Sequence, residues 1–433
     1  MPEPRPARPL LHALRTADWL TRDRAAAWSI ILLIEELLIV GFLALWQHGV
    51  FSTVHNPPSS DFVSFYAAGK LTLAGTPALA YDQVAHHLAE QQASWAGAGY
   101  QYFFYPPVFL LICAPLATLP YFVAYALFQA ATLVPFVLVM RAILQARDWR
   151  WLPALLAFPA VFWTLGVGQN AFLTAALFGG FTLLIDRRPA AAGALLGMLC
   201  YKPHFGLLVP IALAAGRRWT AFAAALVSVA ALVGLSVLLF GWGTWQAYLH
   251  AFAGSGRVYQ SGAIDFAGIE TPFGAARLLG VPAGAAYAAQ LVTALAMVAL
   301  IALVWQRSPS QSLRCAVLLA ATLLAVPLAL LYDKLLLLVA IGWLLREASA
   351  NGFLPWEKLV LLLTWPVSLV TWVIGAGLHV PLGPAISGAV LILCIRRAWP
   401  TAGLAGAVGP AAIGRADPGR ESAVRGAVAA SNR

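Results

Sequence analysis

Few side chains in this sequence can carry acid–base or ionic chemistry. Of 433 residues, 27 are Lys or Arg and 17 are Asp or Glu, while 61% are hydrophobic. Asp61 follows Asn56-Pro-Pro-Ser-Ser and opens the run Asp-Phe-Val-Ser-Phe-Tyr. A carboxylate at a membrane–water boundary can act as a general base toward a substrate hydroxyl. The same position suits a helix N-cap. Lys202 and Lys334 stand at the ends of apolar runs, where a lysine supplies a point charge for a phosphate or snorkels to the interface. His204 lies near Lys202 and adds a donor. Gln169-Asn170 fall in a tight turn, where their amides can hydrogen-bond a polar ligand or simply make the turn. Asp82 and Asp333 each follow a tyrosine and are rival carboxylates. His86-His87 lack the i,i+4 spacing of a helical metal pair and read as a solvated face.

The elements that position these residues are membrane helices. A soluble domain is about a quarter charged; this chain is 10% charged. A span needs about 20 apolar residues. Segments near 27–46, 121–144, 152–167, 170–185, 189–201, 204–216, 219–240, 285–305, 315–331, 335–345, 357–376 and 381–395 qualify or come close, which predicts an all-α polytopic protein of about twelve spans. Disordered, collagen-like and secreted disulfide-rich classes are excluded. The first apolar run is too long for a signal-peptide core and has no clear cleavage site after it, so it reads as a retained anchor.

The apolar segment 106–119 is short, and charge decides its path. If it stays in the interface, 22 Lys and Arg fall on the N-terminal side and five on the other: Lys70, Lys202, Arg257, Arg277 and Lys334. If it crosses, most basic clusters move outside, against the positive-inside rule. Both termini are therefore expected in the cytoplasm. The net charge of +10 is then a topology signal, with an attraction for anionic membrane lipids, and not a nucleic-acid footprint.

The expected layout is a cytoplasmic segment 1–26, a transmembrane domain 27–396 and a disordered cytoplasmic tail 397–433. Within the domain lie a first outside loop 47–105, an interfacial segment 106–120 and a second outside loop 241–284. The first loop has amphipathic stretches at 62–74 and 81–95. Cys113, Cys200, Cys315 and Cys394 sit in apolar runs without metal or redox spacing and read as small buried hydrophobes. Glu35 and Glu36 lie within the first span, where each acid costs on the order of 2.5 kcal/mol or more; they call for a partner on another span or a polar cavity.

Several runs together resemble glycosyltransferase family 87, of the GT-C superfamily. They are Asp61-Phe-Val-Ser-Phe-Tyr-Ala-Ala-Gly69, Leu73-Ala-Gly75-Thr-Pro77, Tyr81-Asp82, Tyr105-Pro-Pro107 and Ala114-Pro-Leu-Ala117 with Leu119-Pro120. Gly168-Gln-Asn170, Lys202-Pro203 and Tyr332-Asp333 follow in order. The resemblance covers roughly residues 30–345. It implies a GT-C fold in a bacterial inner membrane and transfer of mannose or another hexose or pentose from a polyprenyl-phosphate donor to a lipid or glycan hydroxyl, with inversion. It implies no cofactor, with Asp61 as the catalytic acid–base group and Lys202, His204 and Lys334 toward the donor phosphate. Tyr66, Tyr81, Asp82, Tyr105, Gln169, Asn170 and Asp333 are then the substrate-binding candidates. Many GT-C enzymes carry paired acids in the first outside loop, whereas Asp61 stands alone after Ser59-Ser60, which argues against an essential metal. A transporter or flippase of lipid-linked or small polar substrates, its helices broken at Pro153, Pro159, Pro210, Pro327 or Pro366, is the alternative, and an accessory scaffold subunit a third reading.

Overall fold

The structure, a computed structural model, describes residues 8–47, 61–261 and 265–399. Among the described residues no strand forms; Ile269 and Leu330 make an isolated antiparallel bridge. The expected tail from 400 onward, and the loop residues just before Asp61, lie outside the described residues.

Four described helices are long and apolar enough to cross a membrane: Tyr121–Leu144, Trp219–Phe240, Ala283–Arg307 and Glu357–Leu378. At about 1.5 Å per residue each exceeds a hydrocarbon core of roughly 30 Å. The first expected span forms helix Arg22–Gln47. Other expected spans are shorter. The 152–167 segment breaks into Leu152–Leu156 and Pro159–Val167, because Phe158 adopts the extended backbone that a following proline favours.

Short helices fill the interior. Ala171–Leu184, Gln311–Ala325 and Leu335–Asn351 have 14, 15 and 17 residues, a rise of about 21–26 Å. Helix Gln311–Ala325 stops where Val326 turns extended before Pro327. Helices this short end inside the bundle, and the polar turns at 168–170, 202–204 and 331–334 lie at those ends.

Small residues bring backbones together. Gly193 and Gly197 are four apart on helix Pro189–Gly197, and a Cβ on either would fall 2.1 Å from Ala221 O or 2.5 Å from Ser228 Cβ on the neighbouring span. Gly69 likewise lies against Cys113 O, where a Cβ would sit at 2.2 Å. That contact docks helix Asp61–Leu73 on the seven-residue helix Leu110–Leu116. Seven residues rise about 10 Å, so this helix cannot span a bilayer.

At the end of the bundle opposite these turns, Arg218 pairs with Asp186, Ser310 Oγ donates to Glu347 at 2.8 Å, and Arg397 pairs with Glu357 at 2.5 Å. Trp356 N donates to Arg15 O at 2.7 Å, which fastens helix Arg8–Thr16 there.

Two expectations change. The first-loop helix Asp61–Leu73 is not amphipathic: Phe62 through Gly69 are all buried. Phe62 packs edge-on against Tyr121 and Tyr125, with ring centroids 5.4 and 5.2 Å away. His86 is not on a solvated face but fully buried on helix Gln83–Ala93, because its ring is trapped against Tyr100 and Phe103. The second loop carries a 20-residue helix, Trp242–Ser261. Glu36 is buried and Glu35 exposed. All four cysteines are free, with Cys113, Cys315 and Cys394 buried and Cys200 half-buried.

Candidate active site

Gln169 sits at the centre of the polar turns. Helix Pro159–Val167 ends at Gly168, whose left-handed φ of +69° is easy for glycine. A Cβ there would also fall 2.5 Å from Phe62 Cβ. The turn aims the buried Gln169 side chain at three elements. Its Nε2 donates to Asp61 Oδ2 at 2.8 Å and to Tyr332 Oη at 3.1 Å. Its Oε1 accepts from Tyr105 Oη at 3.1 Å and from Asn170 N at 2.8 Å. Gln129 Nε2 donates to the Gln169 carbonyl at 3.2 Å and fixes the turn from helix Tyr121–Leu144.

Asp61 is the first residue of its helix and is half-buried. Burial pushes its carboxyl above the ordinary range; the Gln169 hydrogen bond and the Lys202 charge pull it back, and Asp333 pushes it up again. Asp333 is therefore close enough to act on Asp61.

Lys202 Nζ pairs with Asp333 Oδ1 at 2.9 Å, both side chains 5% exposed. The ammonium also lies 5.3 Å from the Tyr332 ring centroid and 5.5 Å from that of Phe205. Asp333 Oδ2 accepts from Leu330 N at 3.0 Å, which holds the 330–333 turn. His204 is half-buried, its ring tilted against that of Phe205 at 4.3 Å, and close enough to Lys202 to feel its charge.

Tyr105 is half-buried. Burial, with the charges of Asp61 and Asp333 behind it, holds its phenol well above the usual value. It remains a donor. Asn170 is fully buried beside Tyr105, yet neither polar atom of its amide makes a hydrogen bond of good geometry. A buried amide left so costs free energy unless a ligand or water completes it.

Lys334 lies in a neighbouring pair. Its Nζ meets Glu270 Oε1 at 2.9 Å and Thr371 Oγ1 at 3.4 Å, with both charged side chains almost wholly buried. The Ile269–Leu330 bridge and the Glu270 N to Ala329 O bond of 2.8 Å bring Glu270 there. Its carboxyl is pushed up by burial and pulled down by Lys334.

The structure thus gathers Asp61, Tyr105, Gln169, Asn170, Lys202, His204 and Asp333 in one site, with Lys334 alongside. It places three candidates elsewhere. Tyr66 donates to Leu119 O at 2.8 Å. Tyr81 donates to Tyr105 O at 2.9 Å, behind the site. Asp82 caps helix Gln83–Ala93 by accepting from Ala85 N at 2.8 Å. Sequence reasoning missed Tyr332 and Glu270. The Tyr332-Asp333 pairing was a signal for the first; Glu270 had none.

A family model for glycosyltransferase family 87 matches residues 103–332, more than half of the chain. The match takes in Tyr105, Gln169, Asn170, Lys202, His204 and Tyr332 and leaves Asp61, Asp333 and Lys334 outside. No curated protein and no solved structure matches the chain. With its apolar spans and its ordered polar turns, the chain belongs to glycosyltransferase family 87 and is a glycosyltransferase.

Proposed function

We propose that the protein transfers a sugar from a polyprenyl-phosphate donor to a hydroxyl acceptor, with inversion, at the outer face of a bacterial inner membrane. The observation that carries this reading is the Gln169 junction, which sets a half-buried carboxylate beside a buried lysine. Asp61 takes the proton of the acceptor hydroxyl as that oxygen attacks the anomeric carbon. The bond from that carbon to the phosphate oxygen breaks, and polyprenyl phosphate leaves with the electron pair. Raised by burial, the Asp61 carboxylate is a stronger base than an ordinary aspartate while it remains ionised.

Lys202 faces the leaving phosphate in this scheme. One of its three N–H groups meets Asp333, and an ammonium has three to give. Lys334, committed to Glu270 and Thr371, supports the 330–334 turn. Tyr105 and the unsatisfied Asn170 amide offer a phenol donor and an amide to sugar hydroxyls. The charge split supports both termini in the cytoplasm, which an even number of crossings, about twelve with the short interior segments counted, would give. Incubation of purified protein with a panel of polyprenyl-phosphate sugars tests the reading: one sugar is consumed with release of polyprenyl phosphate. Consumption of none by correctly inserted protein contradicts the donor class.

A further inference from the structure

Two buried ionisable groups outside the site face each other. His86 and Glu90 stand one turn apart on helix Gln83–Ala93, both 0% exposed. His86 Nε2 lies 3.1 Å from Ser64 O, in the first turn of the helix that Asp61 opens. A carbonyl only accepts, so Nε2 carries the hydrogen, and a neutral ring then has a bare Nδ1. Glu90 Oε1 lies 3.5 Å from that Nδ1. The other carboxyl oxygen, Oε2, accepts from Gln101 N at 3.0 Å. Gln101 leads directly, without regular secondary structure, to Tyr105.

We propose that His86 and Glu90 are positioning residues that share one proton and clamp the helix of Asp61 to the segment of Tyr105. The relevance to transfer rests on the reading of Asp61 above; the clamp itself does not. Asp61 and Tyr105 both meet Gln169, on its Nε2 and Oε1 respectively, so a shift of either segment opens the junction. Without the shared proton, two lone pairs face each other in a dry interior. With it, the chain of contacts runs unbroken from Gln101 N through Glu90 and His86 to Ser64 O.

The surroundings set which group holds the proton. Burial raises Glu90 to about 8 and lowers His86 to about 4. At neutral pH Glu90 is the protonated partner. The groups facing the pair are His87, bonded through Nε2 to Ala98 O at 2.9 Å, and Tyr100, whose ring lies 5.8 Å from that of His86. Tyr102 and Asp82 act on Tyr100 from behind. No lysine or arginine stands among these groups to hold Glu90 ionised, and His87 acts to disfavour the charged form of His86. Because its folded value is raised, Glu90 favours the folded clamp below the ordinary glutamate range, and that contribution is lost as pH rises through about 8.

Hydrogen exchange read by mass spectrometry on the full-length protein in lipid nanodiscs, corrected for intrinsic rates, tests this between pH 6.5 and 9.5. In the wild type, protection of residues 61–69 and 101–105 falls together, severalfold, as pH rises from 6.5 to about 8, and then levels off. Glu90→Gln keeps an N–H toward Nδ1 at every pH and retains protection across the range. Glu90→Leu loses it in both segments even at pH 6.5, with consumption of polyprenyl-phosphate sugar down tenfold or more. A wild type and Glu90→Gln that lose protection alike, or a response confined to one segment, overturns the clamp. Wild-type consumption by Glu90→Leu overturns the positioning role. A wild type that consumes no sugar of the panel counts against the donor reading, and exchange alone then decides the clamp.

Discussion

Gln169 donates its side-chain amide to Asp61 across 2.8 Å, although 108 positions separate the two residues. The bond is one of four that use the whole capacity of a primary amide, two donors and two acceptor lone pairs. Tyr332, Tyr105 and the Asn170 backbone take the other three. An amide so saturated has one orientation. It fixes where the Asp61 carboxylate points and leaves no freedom for the 168–170 turn.

Gln169→Leu keeps the bulk and removes all four bonds. A hydrogen bond to a charged group contributes about 1.5–3 kcal/mol, and each 1.36 kcal/mol is tenfold in rate. Transfer is expected to fall by roughly 10–100-fold, read as initial rates of donor consumption at saturating donor, in protein that still elutes as the wild type does.

The two lysines are expected to differ. Removing one partner of a buried ion pair costs about 3–5 kcal/mol, because the other charge is left alone. Lys202→Met and Lys334→Met both lower the melting temperature. Adding Asp333→Asn to the first, or Glu270→Gln to the second, restores much of it. Transfer returns with stability in the Lys334/Glu270 double variant and not in the Lys202/Asp333 one. Wild-type transfer by the latter contradicts a role for Lys202 at the phosphate.

How far the sequence foretold this site depends on the residue. Asp61, Lys202 and Gln169-Asn170 were visible because polar groups are rare in an apolar chain and each interrupts a hydrophobic run. Hydropathy located the long helices well, since their lipid-facing sides must be apolar along their whole length. It could not foresee that helices of 14 to 17 residues fill the centre, because burial in protein and exposure to lipid select the same side chains. The pairings were hidden for another reason. Lys202 finds Asp333, and Lys334 finds Glu270, by tertiary approach alone, with no local spacing to announce it. Helical periodicity also failed at His86, whose helix has polar residues on the face packed against Ser64 and Tyr100.

The pH profile follows from the Asp61 environment. Burial raises its carboxyl, while Gln169 and Lys202 lower it. A base must be ionised, so transfer falls on the acid side, at a pH above the ordinary aspartate value of about 3.9. Lys202→Met and Gln169→Leu each remove a lowering influence and move that limb to higher pH. Rates of donor consumption across pH 4 to 8 for the three proteins check the order.

Close packing beside Glu270 gives a stability test. A Cβ on Gly383 would sit 1.6 Å from Glu270 Oε2, whereas one on Gly388 of the same helix meets nothing within 4 Å. Gly383→Ala is expected to cost about 1–3 kcal/mol through overpacking and to disturb the Lys334 pair. Gly388→Ala is expected to leave the melting temperature nearly unchanged.

The central claim is that Asp61 is the base of a glycosyl transfer, and one comparison tests it most directly. Asp61→Asn preserves size and the contact to Gln169 while removing basicity. Single-turnover transfer from the polyprenyl-phosphate sugar that the wild type consumes is measured for both proteins, alongside their melting temperatures. A positioned general base contributes roughly 10²–10⁴-fold; the expected result is a loss of that size with the fold intact. Transfer at the wild-type rate by correctly inserted Asp61→Asn protein would contradict it.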